Sequence, residues 1–417
     1  MDNKIKEYIR YLLKSYPTYS IEQKKQLGDF YEQTLYNTVI KAIQNVPFYK
    51  EYSKYIRQPF SIKELPIIRK KDIMGREREM VSKHVCSLFL SRKETGGSTG
   101  FSLELFYSPS VIIKKDVIPN YAFSVIGEKL HIATLRGQRP QNGATYQDIG
   151  RGNIILSSYL LSEKTIDEYL SLLKKYRINC LHVYPSSLSI MTRLIKSKYG
   201  KANLPDLKGI LASSEIFSRE EKKLVQEVFP GIKLVDLYGH NELACCAVAI
   251  DNGYFKFFPN YGYVEFIDTN ERVNGHIIAE IVATSIMNTT MPFIRYGTED
   301  YVELDEEGNV VSIIGRTSDF VINCEGKLTP CILSTRSRSM QNVTNFQYYQ
   351  PQKGVLIYRV VVNDKFNDID KKFILEDMNQ SFNGLMKCEV AIVTCIERNQ
   401  NGKQKRLVQD VNLKDYK

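Results

Sequence analysis

Glu94-Thr95-Gly96-Gly97-Ser98-Thr99-Gly100 packs three glycines and three hydroxyl side chains into seven residues. Glycine allows positive φ and lets a backbone approach a ligand closely. Hydroxyls and freed backbone N–H groups can wrap an anion. Strand-like runs flank the stretch, at 85–91 before it and 102–107 after it. Two readings fit these residues alone: a phosphate-gripping loop on a hairpin, and a Gly/Ser turn that binds nothing. A third is chemical, because Gly96-Gly97-Ser98-Thr99-Gly100 also matches G-x-S-x-G, the nucleophile elbow of serine hydrolases. That elbow needs a strand, a sharp turn and then a helix, whereas 102–107 reads as a strand.

Working outward, the chain has 417 residues, too many for one hydrophobic core. Its 43% hydrophobic and 25% charged residues are those of a globular protein. The net charge is +10, but Lys and Arg are spread along the chain with only short clusters such as Arg69-Lys70-Lys71. That pattern reads as a solvated basic surface, able to attract a nucleotide or an anionic acceptor, and nucleic acid is not expected. The eight cysteines form no C-x-x-C pair, which argues against zinc or a disulfide framework and for reduced thiols. No apolar run approaches the ~18 residues of a membrane span, and residues 1–16 lack a signal-peptide core, so a cytoplasmic enzyme is expected. No G-K pair is followed by Ser or Thr, which excludes a Walker-type P-loop.

Apolar residues recur at helical spacing at Leu35, Val39 and Ala42/Ile43, and Pro47 must end that helix. Helical patterns follow at 69–80, 109–126, 166–176, 188–198 (with Ser187 as a cap) and 219–228. Short apolar runs at 131–135, 153–156, 180–183, 208–212 and 233–237 read as strands. Strands alternating with helices imply an α/β fold with a largely parallel sheet. Ligands gather at the carboxyl ends of such strands. Polar clusters stand there at 184–187, 213–215 and 238–242. Residues 254–315 read as a β-rich subdomain. From about 319 a small α+β domain is expected, with strands at 355–362 and 389–394 and a helix at 368–381.

Five clusters in this order resemble the adenylate-forming superfamily, which activates carboxylates with ATP. Thr95-Gly96-Gly97-Ser98-Thr99-Gly100 resembles its phosphate loop, Tyr238-Gly239-His240-Asn241-Glu242 its Y-G-x-x-E motif and Tyr296-Gly297-Thr298-Glu299-Asp300 its Y-x-T-x-D motif. Gly315-Arg316 resembles its hinge, and Gly402-Lys403 its last motif. Asn45-Val46-Pro47-Phe48-Tyr49, Tyr184-Pro185-Ser186-Ser187 and Met291-Pro292-Phe293-Ile294-Arg295-Tyr296 are similar to the phenylacetate–CoA ligase-like branch. Within that branch the chain resembles the capsular-polysaccharide and coenzyme F390 synthetase-like group. The hinge departs from the usual G-R-x-D, with Ser318 at the acidic position and Asp319 one later. The zinc-binding Cys/His insertion of some relatives is not evident after Glu242, and Cys245 and Cys246 read as core thiols.

The resemblance implies a large adenylation domain (1–316) and a small mobile C-terminal lid domain (317–417). It implies ATP and Mg²⁺ as cofactors, with CoA as a further one. The implied partners are a small-molecule carboxylate, a thiol or amine acceptor, and a second copy of the chain. Thr95, Ser98, Thr99 and the N–H groups of Gly96, Gly97 and Gly100 would hold phosphates. Glu242 would bind Mg²⁺, and Tyr238 with Gly239 would lie at the adenine, beside Ser214 and Glu215. Asp300 would take the ribose hydroxyls and Arg316 ribose or phosphate. Lys403 would bridge the reacting carboxylate and the α-phosphate, with Lys405 as its competitor. His182 and Tyr184 are candidates for the acyl pocket.

Overall fold

Pro47 sets the first boundary. The helix Ile21–Asn45 stops just short of it, and Val46 between them is extended, with φ −115° and ψ 113°. The computed structural model describes residues 21–57, 59–95, 103–273, 275–316, 320–331, 340, 342–399 and 403–412. The chain divides into two units: Met1–Phe123 with Tyr238–Val248 and Phe255–Val310, and Ser124–Leu237 with Ala249–Tyr254 and Val311–Lys417.

In the first unit Leu35, Val39 and Ala42 bury one face of the opening helix. The fully buried Tyr49 donates its hydroxyl to the Pro292 carbonyl at 2.9 Å and accepts the Ile294 N–H at 3.0 Å. That one side chain joins the 45–49 stretch to 291–296. The strands Gly262–Val273, His276–Ser285 and Tyr296–Leu304 form an antiparallel meander. Ser91–Glu94 and Glu104–Tyr107 pair as an antiparallel hairpin. The strand expected at 85–91 is displaced, sharing only Ser91 with the observed one, because Ser87–Phe89 is a 3₁₀ turn. The helix expected over 69–80 is likewise broken, into Lys70–Ile73 and a 3₁₀ turn at Glu77–Met80, with Gly75 at φ 77° between them.

The second unit carries parallel strands in the order Lys233–Gly239 (in this unit up to Leu237), Gly209–Ser213, Cys180–Val183, Ile132–Leu135 and Asn153–Leu156. Tyr146–Gly150, unexpected from its polar sequence, closes the edge antiparallel. The helices Ile166–Lys175, Pro185–Tyr199 and Arg219–Val228 share one core with these strands, built on Tyr169, Leu173, Leu188, Met191, Ile195 and Val225. The second of these helices starts at Pro185, not after a Ser187 cap. Proline at the first helical position has its φ preset and lacks an N–H that would go unused there.

The C-terminal part of this unit has its own core, around Phe346, Leu356, Tyr358 and Ile374. Its sheet runs Lys387–Ile392, Val355–Val362, Val343–Gln350, Leu407–Gln409. The helix Asp368–Phe382 begins in a capping box between Asn367 and Asp370 and ends at Asn383 in the left-handed region. The α/β class holds, with a parallel-rich sheet, a strand-rich region and a C-terminal α+β part.

Candidate active site

The Y-x-T-x-D stretch is shaped by a bulge. Opposite His276–Ser285, Glu280 pairs with Tyr301 and Val282 with Gly297, so 298–300 face one residue. Glu299 takes φ 61° to absorb the extra length. The Thr298 hydroxyl donates to the Ile281 carbonyl at 2.8 Å and accepts the Asp300 N–H at 3.1 Å. A Cβ at Gly297 would lie 2.3 Å from Nη1 of Arg69, so a side chain there would displace the guanidinium. That guanidinium crosses the strand to a two-pronged pair with Glu280, in which Nη2 to Oε2 is 2.9 Å. The bulge turns the buried Asp300 toward Tyr238, whose hydroxyl donates to Asp300 Oδ2 at 2.7 Å. Two predicted residues, 62 apart in sequence, thus meet in the first unit.

Glu242 stands beside them. It is 7% exposed, and Oε2 lies 3.2 Å from Nδ1 of His240. The Tyr296 hydroxyl donates to Oε1 at 3.3 Å, and the Asn288 side chain holds the Glu242 carbonyl at 3.2 Å. Cys245 Sγ is 3.5 Å from Nε2 of the same histidine. Desolvation disfavours the His240 charge, but Cys245 and Glu242 together raise its pKa to about 10. Gly262 lets this segment pack, since a Cβ there would sit 1.7 Å from the Ala244 carbonyl oxygen. The Tyr107 hydroxyl, on the hairpin, donates to the Asn241 carbonyl.

Glu94 and Thr95 are the described members of the glycine stretch, and Glu94 ends the strand of the hairpin. Thr95 leads into the loop. It is buried, its N–H donates to the Leu103 carbonyl at 3.0 Å, and Oγ1 accepts the Leu103 N–H at 2.8 Å. Gly96, Gly97, Ser98, Thr99 and Gly100 lie outside the described residues. Among the described residues the next element is the strand Glu104–Tyr107, paired back on Ser91–Glu94, which is not the helix a nucleophile elbow needs.

A second group of residues lies in the second unit. Tyr184 follows the strand Cys180–Val183, and Ser214, at φ 71°, follows Gly209–Ser213. Arg136 follows Ile132–Leu135, and its guanidinium lies 4.9 Å from the Tyr184 ring centroid. Arg136 donates to His182 Nε2 at 2.9 Å and to Ser214 Oγ at 2.8 Å. Burial first, and Arg136 second, push His182 down to about 3, so its ring is neutral. Glu215 accepts the Ser186 N–H at 2.9 Å, at the positive end of the helix Pro185–Tyr199, and the Gln404 N–H at 3.2 Å. Lys403 Nζ lies 5.6 Å from the Tyr184 ring centroid, whereas the Lys405 side chain is exposed.

The C-terminal part meets this group through arginines. Arg398 donates to the Ser187 hydroxyl at 3.2 Å and Arg193 to the Met340 carbonyl at 3.2 Å, while Arg406 pairs with Glu221. Ser318 and Asp319 of the expected hinge lie outside the described residues, and Arg316 ends the strand Val310–Arg316. Among the described residues no three His, Cys, Asp or Glu side chains converge as a metal cage. All eight cysteines are free thiols, and Cys245 and Cys246 are buried as expected.

Arg136 was not singled out by the sequence. The available signal was a basic residue directly after a buried apolar run and before a glycine.

Comparison with known proteins gives the architecture its place. The CapK C-terminal domain model matches residues 321–410. Protein CapK of Staphylococcus aureus is 23% identical over 393 residues, covering 85% of this chain and 84% of that protein. The structure of 2-hydroxyisobutyryl-CoA ligase in the postadenylation state with 2-HIB-AMP superposes with a TM-score of 0.67, at 15% identity, over 95% of this chain and 91% of the ligase. The chain has the adenylate-forming ligase fold. Anthranilate CoA ligase AuaEII in complex with anthranoyl-AMP also shares that fold, with a TM-score of 0.53, 14% identity, and 76% and 65% of the two chains covered. The CapK match spans the C-terminal sheet and helix of this fold together with Arg398 and Gln404, which lie between the strands Lys387–Ile392 and Leu407–Gln409.

Proposed function

We propose that this chain is an AMP-forming carboxylate ligase. A carboxylate oxygen attacks the α-phosphorus of ATP, the bond to pyrophosphate breaks, and an acyl-AMP results. A thiol or amine then attacks the acyl carbon, and AMP departs as a good leaving group. CoA is the thiol by analogy with the fold's relatives. The similarity to Protein CapK supports a place in surface polysaccharide synthesis, and the free cysteines suit a cytoplasmic enzyme. The observation that carries the reading is the convergence of Tyr238 and Asp300, with buried Glu242 alongside, from separate motifs of one family in family order.

Each residue has chemistry suited to its role. Asp300 has two acceptor oxygens for ribose hydroxyls, and Tyr238 offers a flat ring to a base. Thr95, with the residues to Gly100, would cradle phosphates. Glu242 is a single hard-oxygen ligand, which fits Mg²⁺, an ion that takes one or two carboxylates together with substrate phosphates. The ion would supply charge neutralisation where two anions react. Lys403 is a compact cation able to bridge carboxylate and α-phosphate. Its packing on Tyr184 favours it over Lys405. Ser214, Glu215, Gly239 and Arg316 keep their expected nucleotide roles as part of this proposal. So does the division at 316/317, with a C-terminal domain that swings between the two half-reactions.

The test is carboxylate-dependent ATP–pyrophosphate exchange. Lys403→Ala should lower exchange by about 10²–10³-fold while leaving transfer from supplied acyl-AMP largely intact. Loss of transfer with retained exchange would reverse the assignment of Lys403.

A further inference from the structure

Arg136 is a cation with no carboxylate at ion-pair distance among the described residues. Its contacts are neutral: His182 Nε2, Ser214 Oγ and the face of Tyr184. Its Nε is buried and has no hydrogen-bond partner. Among the described residues no carboxylate pairs with it. The nearby carboxylate, Glu215, has its oxygens committed to the Ser186 and Gln404 N–H groups. Arg398 and Lys403 add two further positive charges around the same residues. Arg136, Arg398 and Lys403 thus outnumber the one carboxylate, Glu215, in this group of residues.

A half-buried guanidinium that no carboxylate pairs with is costly unless an anion arrives to use it. Guanidinium also matches a carboxylate in shape, through two parallel N–H bonds. Arg136 and Lys403 lie 4.9 Å and 5.6 Å from the centroid of the same Tyr184 ring. Both therefore stand within the length of one small molecule. We infer that the acid activated here carries a second carboxylate: the reacting one meets Lys403 and the distal one meets Arg136. This rests on the ligase reading above, and it names the substrate class as small dicarboxylic acids. Neutral His182 serves as a positioning residue, accepting from Arg136 and fixing the guanidinium plane.

Exchange measured with acids matched in length, glutarate against valerate and succinate against butyrate, tests it. The wild-type chain should use the dicarboxylate at least about 10-fold better in kcat/KM. Arg136→Gln should lower the dicarboxylate-to-monocarboxylate ratio by about 10- to 100-fold, the range of a hydrogen bond to a charged group, and Arg136→Lys should restore part of it. A wild-type preference for the monocarboxylates, or an unchanged ratio in a folded Arg136→Gln protein, overturns the inference. If no acid supports exchange, the ligase reading fails, and calorimetric titration with glutarate then decides separately. Heat lost in Arg136→Gln sustains a dicarboxylate site, and no heat with the wild-type chain removes it.

Discussion

His240 and His182 are both inside the protein and are pushed in opposite directions. His240, in the first unit, lies between Glu242 and Cys245 and is raised to about 10. His182, in the second, is desolvated beside Arg136 and lowered to about 3. Burial alone would neutralise both rings, so the sign of the neighbouring charge decides. The first group of residues is acidic, with Glu242 and Asp300 closed in hydrogen bonds to a histidine and two tyrosines. The second is basic and holds a guanidinium that, among the described residues, makes no ion pair with a carboxylate. The first has what a cation and ribose hydroxyls need, and the second has what anions need.

The sharpest way to break this contrast is a control within the second unit. Lys222 Nζ pairs with Asp236 Oδ2 at 2.7 Å, and both side chains are under 10% exposed. Lys222→Met strands a buried carboxylate and should cost about 3–5 kcal/mol in urea unfolding. Arg136→Met strands no opposite charge and should cost less than about 1 kcal/mol. Equal losses would mean that Arg136 is as well compensated as Lys222.

The histidines predict opposite pH slopes of stability. His240 binds its proton more tightly folded than unfolded, so its contribution is complete below the ordinary value of 6.5 and is lost as pH rises through about 10. His182 binds its proton more weakly when folded, so stability falls as pH drops from 6.5 toward 3. His240→Gln should flatten the alkaline limb of the stability curve and His182→Gln the acid limb. If either substitution flattened the other's limb, the charge assignment would be reversed. The smallest effect expected is Tyr238→Phe, which deletes one hydrogen bond to Asp300 and should cost about 1 kcal/mol, read from the unfolding midpoint.

Legibility in the sequence followed apolar patterning. The strands Cys180–Val183 and Val355–Val362 and the helix Arg219–Val228 have the bounds their patterns predicted. The strand Val343–Gln350 was missed because it buries polar residues. Gln350 is fully buried, receiving the Ile322 N–H at 2.9 Å and donating to the Ile322 carbonyl at 2.8 Å. The same limit applies to the site. Tyr238, Glu242 and Asp300 stood in motifs, but the bulge that turns Asp300 toward Tyr238 depends on the register of a neighbouring strand. Arg136 gains its character from the residues around it, and an arginine after an apolar run reads like any surface arginine.

The contacts of the C-terminal part with the helices Pro185–Tyr199 and Arg219–Val228, and with Glu215 between them, bear on how readily that seam can part. Arg398, Gln404 and Arg406 bond to Ser187, Glu215 and Glu221 across it. Water can take over each of these bonds when the surfaces separate, so opening gives back hydration for what it breaks. A seam of leucines would have no such return and would hold shut. The polar seam trades grip for reversibility.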